Sequence, residues 1–361
     1  AIGRTLRIMS RFIPMEKKTF TVILSLRGIP VTRISGNRNK IAEIADAPNS
    51  ELLTKQLIQI TSSKKQIEEV FYNNKLKHNF NWKVKPYYRL HLFDPDKPIY
   101  HDFGASLNLS YTPKPGIILS SVIQKPLISD FDEIWRGEKG GLPKVRTRLK
   151  NYLNIQQTRI KDFYGASYFK LTDDIYGRLT GGFLESMYSG VSSEILYFPS
   201  HSNVSLGAEL NYVKARDFRQ LFGTENLDGL AKTNGHFSAY WDTNYYYYNA
   251  QLDVGKYLAG DNGGTLTLSR DFPNGWKVGG FFTLTDASFT QFGEGSFDKG
   301  IFFSLPINPI IPYETTSYVY EEIKPIQGDG GQRVKVPGRL YQLTKDKTKN
   351  ALNNSWYRLW R

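Results

Sequence analysis

An apolar alternation of period two, recurring along most of the chain, constrains the fold more than any other feature. It is clearest between Asn262 and Leu284. After the turn Asp261-Asn262-Gly263-Gly264, Leu266 and Leu268 alternate with Thr265, Thr267 and Ser269. After Asp271-Phe272-Pro273-Asn274-Gly275, the residues Trp276, Val278, Gly280, Phe282 and Leu284 alternate with Lys277, Gly279, Phe281 and Thr283. Successive strand side chains point to opposite faces, so each strand has one oily face and one mostly polar, small-residue face. Asn-Gly supplies the positive φ angles of a tight hairpin.

The same pattern returns elsewhere. Phe80, Trp82, Val84, Tyr88, Leu90 and Leu92 share one face of a strand, with Asn81, Lys83, Lys85, Arg89 and His91 on the other. Val204, Leu206, Ala208, Leu210 and Tyr212 alternate with Ser205, Gly207, Glu209 and Asn211. Roughly a dozen or more such strands, of about 9–11 residues each, suit a transmembrane barrel. With 22 Phe, 23 Tyr and 6 Trp the mean hydropathy is still only −0.43. No apolar run approaches the roughly 20 residues of a spanning helix. Aromatics near strand ends, at Trp82, Tyr100, Tyr111, Trp241, the Tyr245–Tyr248 run and Trp276, match interfacial girdles.

The expected fold is therefore mainly β: an antiparallel transmembrane (outer-membrane) β-barrel over residues 77–361, preceded by a small α/β periplasmic module over 1–76. A soluble β-sandwich is the alternative. In the module, Arg4–Ile13 and Thr19–Leu26 read as strands, and Ser50–Ile60 and Lys64–Tyr72 as helices. Lys125–Gln157 is too long for an ordinary connection and reads as an extended loop or plug-like insertion. Leu340–Thr344 and Ser355–Trp360 read as closing strands. The missing initiator Met and signal sequence suggest a mature chain or a fragment.

Lys plus Arg number 47 against 34 Asp plus Glu, a net charge of +13. That balance favours acidic partners. The excess is spread out and the longest basic run, at Lys64-Lys65, is short, which argues against nucleic acid. The absence of Cys excludes disulfides and thiolate metal sites. The five His residues are scattered without metal-ligand spacing, and no nucleophile elbow or phosphate-binding loop is present, so no metal and no cofactor are expected.

From Tyr168-Phe169-Lys170-Leu171-Thr172-Asp173-Asp174-Ile175-Tyr176-Gly177-Arg178 onward, the chain resembles the YjbH family of outer-membrane proteins associated with exopolysaccharide and capsule-type loci. The likeness continues through Gly182–Val191 and Asp253–Asp261. Its most specific piece is Phe292-Gly293-Glu294-Gly295-Ser296-Phe297-Asp298-Lys299-Gly300, and Asp329–Arg333 with Pro337–Tyr341 resembles the family's closing segment. It is dense from about 160 to 341. The resemblance implies an outer-membrane β-barrel that helps export exopolysaccharide. Its implied partners are the polysaccharide, outer-membrane lipid, and periplasmic or lipoprotein components of a secretion locus. Family members are longer, resembling two barrels in tandem with small periplasmic modules, so the first half looks missing here.

Lys83, Lys85, Arg89, Arg178 and Lys277 fall on polar faces. In a barrel they point into the lumen, because a charge facing lipid costs about 2–4 kcal/mol near the midplane. There they could guide an acidic polysaccharide, or pair with Asp and Glu of neighbouring strands. Glu294, Ser296, Asp298 and Lys299 form the family-motif loop. Two carboxylates could serve glycoside hydrolysis. A Gly-rich loop before a strand more simply uses its acids for backbone N–H groups and Lys299, so no catalytic residue is assigned. The expectation is a non-enzymatic outer-membrane barrel in polysaccharide export or assembly. The alternatives are a carbohydrate-active enzyme at the membrane and a soluble carbohydrate-binding β-protein. Packing of Val204, Leu206, Leu268 and Phe282 against a second layer would remove the export reading.

Overall fold

The computed structural model describes residues 2–14, 16–44, 47, 50–63, 79–92, 97–131, 140–153, 157–199, 202–292, 297–307, 318–324, 328–347 and 349–356. A small N-terminal unit comprises α1 (Ile2–Phe12), β1 (Thr19–Leu26), β2 (Ile29–Asn37), α2 (Arg38–Ile44), α3 (Ser50–Leu57) and β3 (Ile58–Ser62). Its strands pair antiparallel in the order β1-β2-β3. Residues 4–13 are expected as a strand, but 4–12 belong to the helix α1. Ile2, Leu6, Met9 and Ile13 recur at helical spacing and pack on Phe20, Ile34 and Ile41, so helical burial overrides the weaker alternation. The helix expected over Ser50–Ile60 stops at Leu57, where Ile58 and Ile60 pair with Gly36 and Ile34 of β2. Lys64–Tyr72 lies outside the described residues.

A second, fourteen-stranded sheet follows. It contains β4 (Asn79–Leu92), β5 (Ile99–Lys114), β6 (Ile117–Ser129), β7 (Arg159–Lys170), β8 (Ile175–Phe183), β9 (Tyr188–Tyr197) and β10 (Val204–Arg216). β11 (Thr224–Glu225) pairs only with β10, and β12 (Thr233–Asp242), β13 (Tyr248–Lys256), β14 (Asn262–Asp271), β15 (Lys277–Thr285), β16 (Asp298–Pro306) and β17 (Tyr318–Ile323) complete it. Apart from β11, each strand pairs antiparallel with the next, so the chain is an up-and-down meander with β4 and β17 outermost. Among the described residues these two edges run in the same direction and pair with no further strand.

The faces of this sheet are inverted relative to a water-soluble protein. Val204, Leu206, Leu268 and Phe282 are 42%, 52%, 54% and 40% exposed, with no second layer over them among the described residues. Ser205, Glu209, Asn211, His236, Ser238, Asp253, Thr265, Ser269 and Thr283, on the other face, are buried. Exposed aromatics edge both rims: Trp241, Tyr245, Tyr246 and Trp276 at the rim of short turns, and Phe163, Tyr212 and Phe222 at the rim of longer connections. An apolar cluster of Val145, Tyr152, Leu184, Met187, Tyr188, Val213 and Leu258 lies at the long-connection rim. A second, including Leu26, Val31, Ile118, Tyr168 and Leu196, joins the small unit to the short-turn rim. The small unit is tied there by Ser62 Oγ donating to Asp174 at 2.7 Å and Lys170 donating to the Pro30 carbonyl at 3.2 Å.

Three further expectations are corrected. Lys125–Gln157 is not one loop. Its first residues belong to β6, where Lys125 pairs with Ala105, and α4 (Leu149–Leu153) lies near its end. After the four-residue α5 (Phe289–Phe292), Leu340–Thr344 is a helix, α6, in which Thr344 Oγ1 donates to the Leu340 carbonyl at 2.8 Å. Ser355 ends the helix α7 (Lys349–Ser355), and residues beyond Trp356 lie outside the described residues.

Close strand contacts depend on glycine. Gly190 of β9 has φ +153°, and a Cβ there would lie 2.0 Å from the Tyr212 carbonyl oxygen of β10. Gly190→Ala must displace paired backbone, so it is expected to destabilise the sheet by about 1–3 kcal/mol. A lowered denaturant midpoint in detergent checks this; an unchanged midpoint would show that the β9–β10 contact yields.

Candidate functional site

The polar face of β8–β13 carries a buried ion network. Alternation on β8, β9 and β10 aims Arg178, Glu194 and Glu209 at one another. Arg178 donates from Nε to Glu194 at 2.8 Å, from Nη2 to Glu209 at 3.1 Å and Ser192 at 3.1 Å, and from Nη1 to Thr180 at 3.0 Å. Its guanidinium is fully buried.

The remaining partners come from the segment 328–347, which runs along this face from the long-connection rim to the short-turn rim. At its start, Asp329 accepts from the Arg146 and Thr147 backbone N–H groups at 2.6 and 3.0 Å, and Gly331 N–H donates to Asp261 at 2.7 Å. Arg333 pairs with Asp253 at 2.7 Å. Arg339 grips Glu209 with Nε at 2.7 Å and Nη2 at 2.8 Å. The Leu340 N–H donates to Glu194 at 3.0 Å, and Tyr341 stacks on Tyr240 with ring centroids 3.7 Å apart. The chain then reaches the small unit, where Thr32 donates to the Lys347 carbonyl and Trp356 Nε1 donates to the Glu51 carbonyl at 2.7 Å. Burial opposes the Arg339 charge and Glu209 overcomes it, so the guanidinium lies above its ordinary pKa. Arg146 behaves alike, with burial outweighed by Glu185 at 2.7 Å. The space around Glu194, Glu209, Ser238, Arg333 and Arg339 has no room for a water molecule.

The five cations expected in a lumen separate into two groups. Arg178 is in the network. Arg89 lies 3.8 Å from Asp102, whose carboxylate also holds Arg159 at 2.5 Å, and Lys277 lies 3.8 Å from Asp271. These three follow the ion-pairing alternative. Lys83 and Lys85, on the edge strand β4, are exposed and their side chains have no partner among the described residues. Lys83, with Asn81, Asn108, Leu109, Ser110, Ser120 and Val122, lines a cleft of about 340 Å³.

Of the family-motif loop, Glu294 and Ser296 lie outside the described residues. Asp298 is buried and accepts from Lys324 at 2.9 Å and Gln332 at 3.0 Å. Lys299, expected to order this loop's acids, sits instead over the Phe297 ring at 4.4 Å. Adjacent strand residues face opposite ways, which takes Lys299 away from Asp298. Sequence reasoning missed Glu194, Glu209, Asp253, Arg333 and Arg339. The available signal was an acid at inward positions of β9, β10 and β13, with two arginines in the segment that follows the last strand.

Two comparisons bear on this architecture. The chain is 36% identical over 211 residues to the lipoprotein YjbH of Escherichia coli (strain K12), covering 58% of this chain and 30% of that protein. It thus aligns with under a third of that relative's length. The family model YjbH, described as exopolysaccharide biosynthesis protein YbjH, matches residues 1–346. With nearly its whole length matched, the chain belongs to the YjbH family of exopolysaccharide biosynthesis proteins.

Proposed function

We propose that this chain is a non-enzymatic β-barrel component of the outer membrane that takes part in the export or assembly of an acidic exopolysaccharide. The observation that carries the reading is the inverted burial: aliphatic and aromatic side chains outward, ion pairs inward. Exposed apolar surface on this scale suits hydrocarbon, which cannot solvate strand-borne charges. Aromatic rims at both strand ends fit the two lipid–water interfaces. The small unit at the short-turn rim fits the periplasmic side, where barrel turns are short. An antiparallel closure requires one more strand between β4 and β17, since those edges run the same way. The burial of Asp298 against Lys324 fits a structural acid rather than a catalytic one.

The test directs the chain to the envelope of a Gram-negative host that secretes an acidic polymer and lacks its own copy. Recovery in the outer-membrane fraction as a heat-modifiable band, with secretion restored, is the expected result. Folding to a monomer in detergent-free buffer would overturn the membrane assignment. Replacing Glu294 by Gln and Asp298 by Asn together should leave polymer length unchanged; altered length would make the chain an enzyme.

A further inference from the structure

We propose that the polar face of β4, β5 and β6 is a saccharide subsite for a carboxylated sugar unit, with Lys83 receiving the carboxylate and Asn81, Asn108, Ser110 and Ser120 the hydroxyls. This rests on the export reading and locates the polymer contact within it. Over β8–β13 the polar face is occupied. Segment 328–347 fills it there and leaves no room for water around Glu209. Over β4–β6 a cleft of about 340 Å³ remains, within the roughly 300–1,000 Å³ range of small-ligand sites.

The register makes these residues one surface. Asn81 pairs with Ser110 and Ser110 with Ser120, while Lys83 pairs with Asn108 and Asn108 with Val122. Two rows of side chains on three strands about 4.8 Å apart present amides and hydroxyls on the scale of a sugar ring. Each amide both donates and accepts, as sugar hydroxyls require, and Lys offers three donors and one charge. The Asn108 amide is oriented by its 3.3 Å hydrogen bond to Ser106 Oγ. Charge supplies the selectivity. Arg89, Arg178 and Lys277 already face carboxylates, whereas Lys83 and, one row along, Lys85 have none among the described residues. An ammonium with no described partner, beside the free Asn81 amide and the pre-oriented Asn108 amide, favours a uronate over a neutral sugar.

The test is binding of oligogalacturonate to the detergent-solubilised full chain, with maltooligosaccharide as neutral control and dextran sulfate as a charge-only control. A charge-assisted hydrogen bond contributes about 1.5–3 kcal/mol, so Lys83→Ala should weaken oligogalacturonate about tenfold or more. Asn108→Ala should weaken it several-fold, Lys83→Arg should retain most binding, and Lys55→Ala, an exposed cation of the small unit, should change nothing. Binding equal with and without Lys83, in variants that still insert as heat-modifiable bands, overturns the subsite and leaves the export reading standing. Equal losses for dextran sulfate, with Asn108→Ala silent, also overturn it, because the face would then be a bare charge. Failure of the unmodified chain to insert removes the export reading and the subsite together.

Discussion

Glu209→Ala is expected to loosen the C-terminal segment from the sheet and to cost about 3–5 kcal/mol, the range for removing one partner of a buried pair. The Glu209 side chain is 4% exposed and faces three guanidiniums: Arg339 at 2.7 Å, Arg178 at 3.1 Å and Arg333 at 3.9 Å. After its removal Arg178 keeps Glu194 and Arg333 keeps Asp253, but Arg339 keeps only the Val334 carbonyl at 2.7 Å among its described hydrogen bonds. Arg339 therefore bears most of the loss. Trypsin reads this directly, because Arg333, Lys335 and Arg339 are all cleavage sites within the segment tied along the polar face. Rapid cleavage there in the variant, with the unmodified protein resistant, is the expected outcome; equal resistance would mean that the other ties, among them Asp329, Arg333–Asp253 and Leu340–Glu194, hold the segment without Glu209. A second substitution, Arg339→Met, should restore part of the stability, since it removes the orphaned charge.

The sheet was legible in the sequence because its signal is local and repeated. Every second residue of β10, β14 and β15 declares its face, and hairpin turns such as Asp271–Gly275 mark where strands reverse. The helix α1 was misread because Ile2, Leu6, Met9 and Ile13 are few, and only contact with Phe20 and Ile41 shows which period they obey. The site was less legible for a different reason. Arg339 and Glu209 are 130 positions apart, and no propensity links them. Their pairing follows from threading residues 328–347 along the polar face, a long-range event that strand periodicity does not encode. Among the five cations expected in a lumen, sequence could not separate Arg178, paired with Glu194, from Lys83, which has no partner among the described residues. That depends on which neighbouring strands supply acids at matching register: Glu194 lies directly opposite Arg178, and Asn108 directly opposite Lys83.

Phe237→Arg separates lipid from water as the medium around the outer face. Phe237 is 75% exposed on β12, paired with Ala208 of β10 and Val254 of β13, well inside the aromatic rims marked by Trp241 and Tyr212. If the face met water, Arg would be accommodated there within about 0.5 kcal/mol, as at most surface positions. In a bilayer the same guanidinium near the midplane costs about 2–4 kcal/mol. Leu252→Arg, 46% exposed between Ala239 and Leu266, should behave alike, whereas Lys214 is already exposed at the rim end of β10, where interfacial charge costs only about 0–1 kcal/mol. Lys214→Arg is thus the neutral reference. Reversible unfolding from phospholipid vesicles should show the two central variants destabilised by these amounts and the rim variant unchanged. The side chain alters nothing inside the molecule, so the difference reports the surrounding medium alone; equal stability of all three would place water against the outer face and remove the membrane assignment.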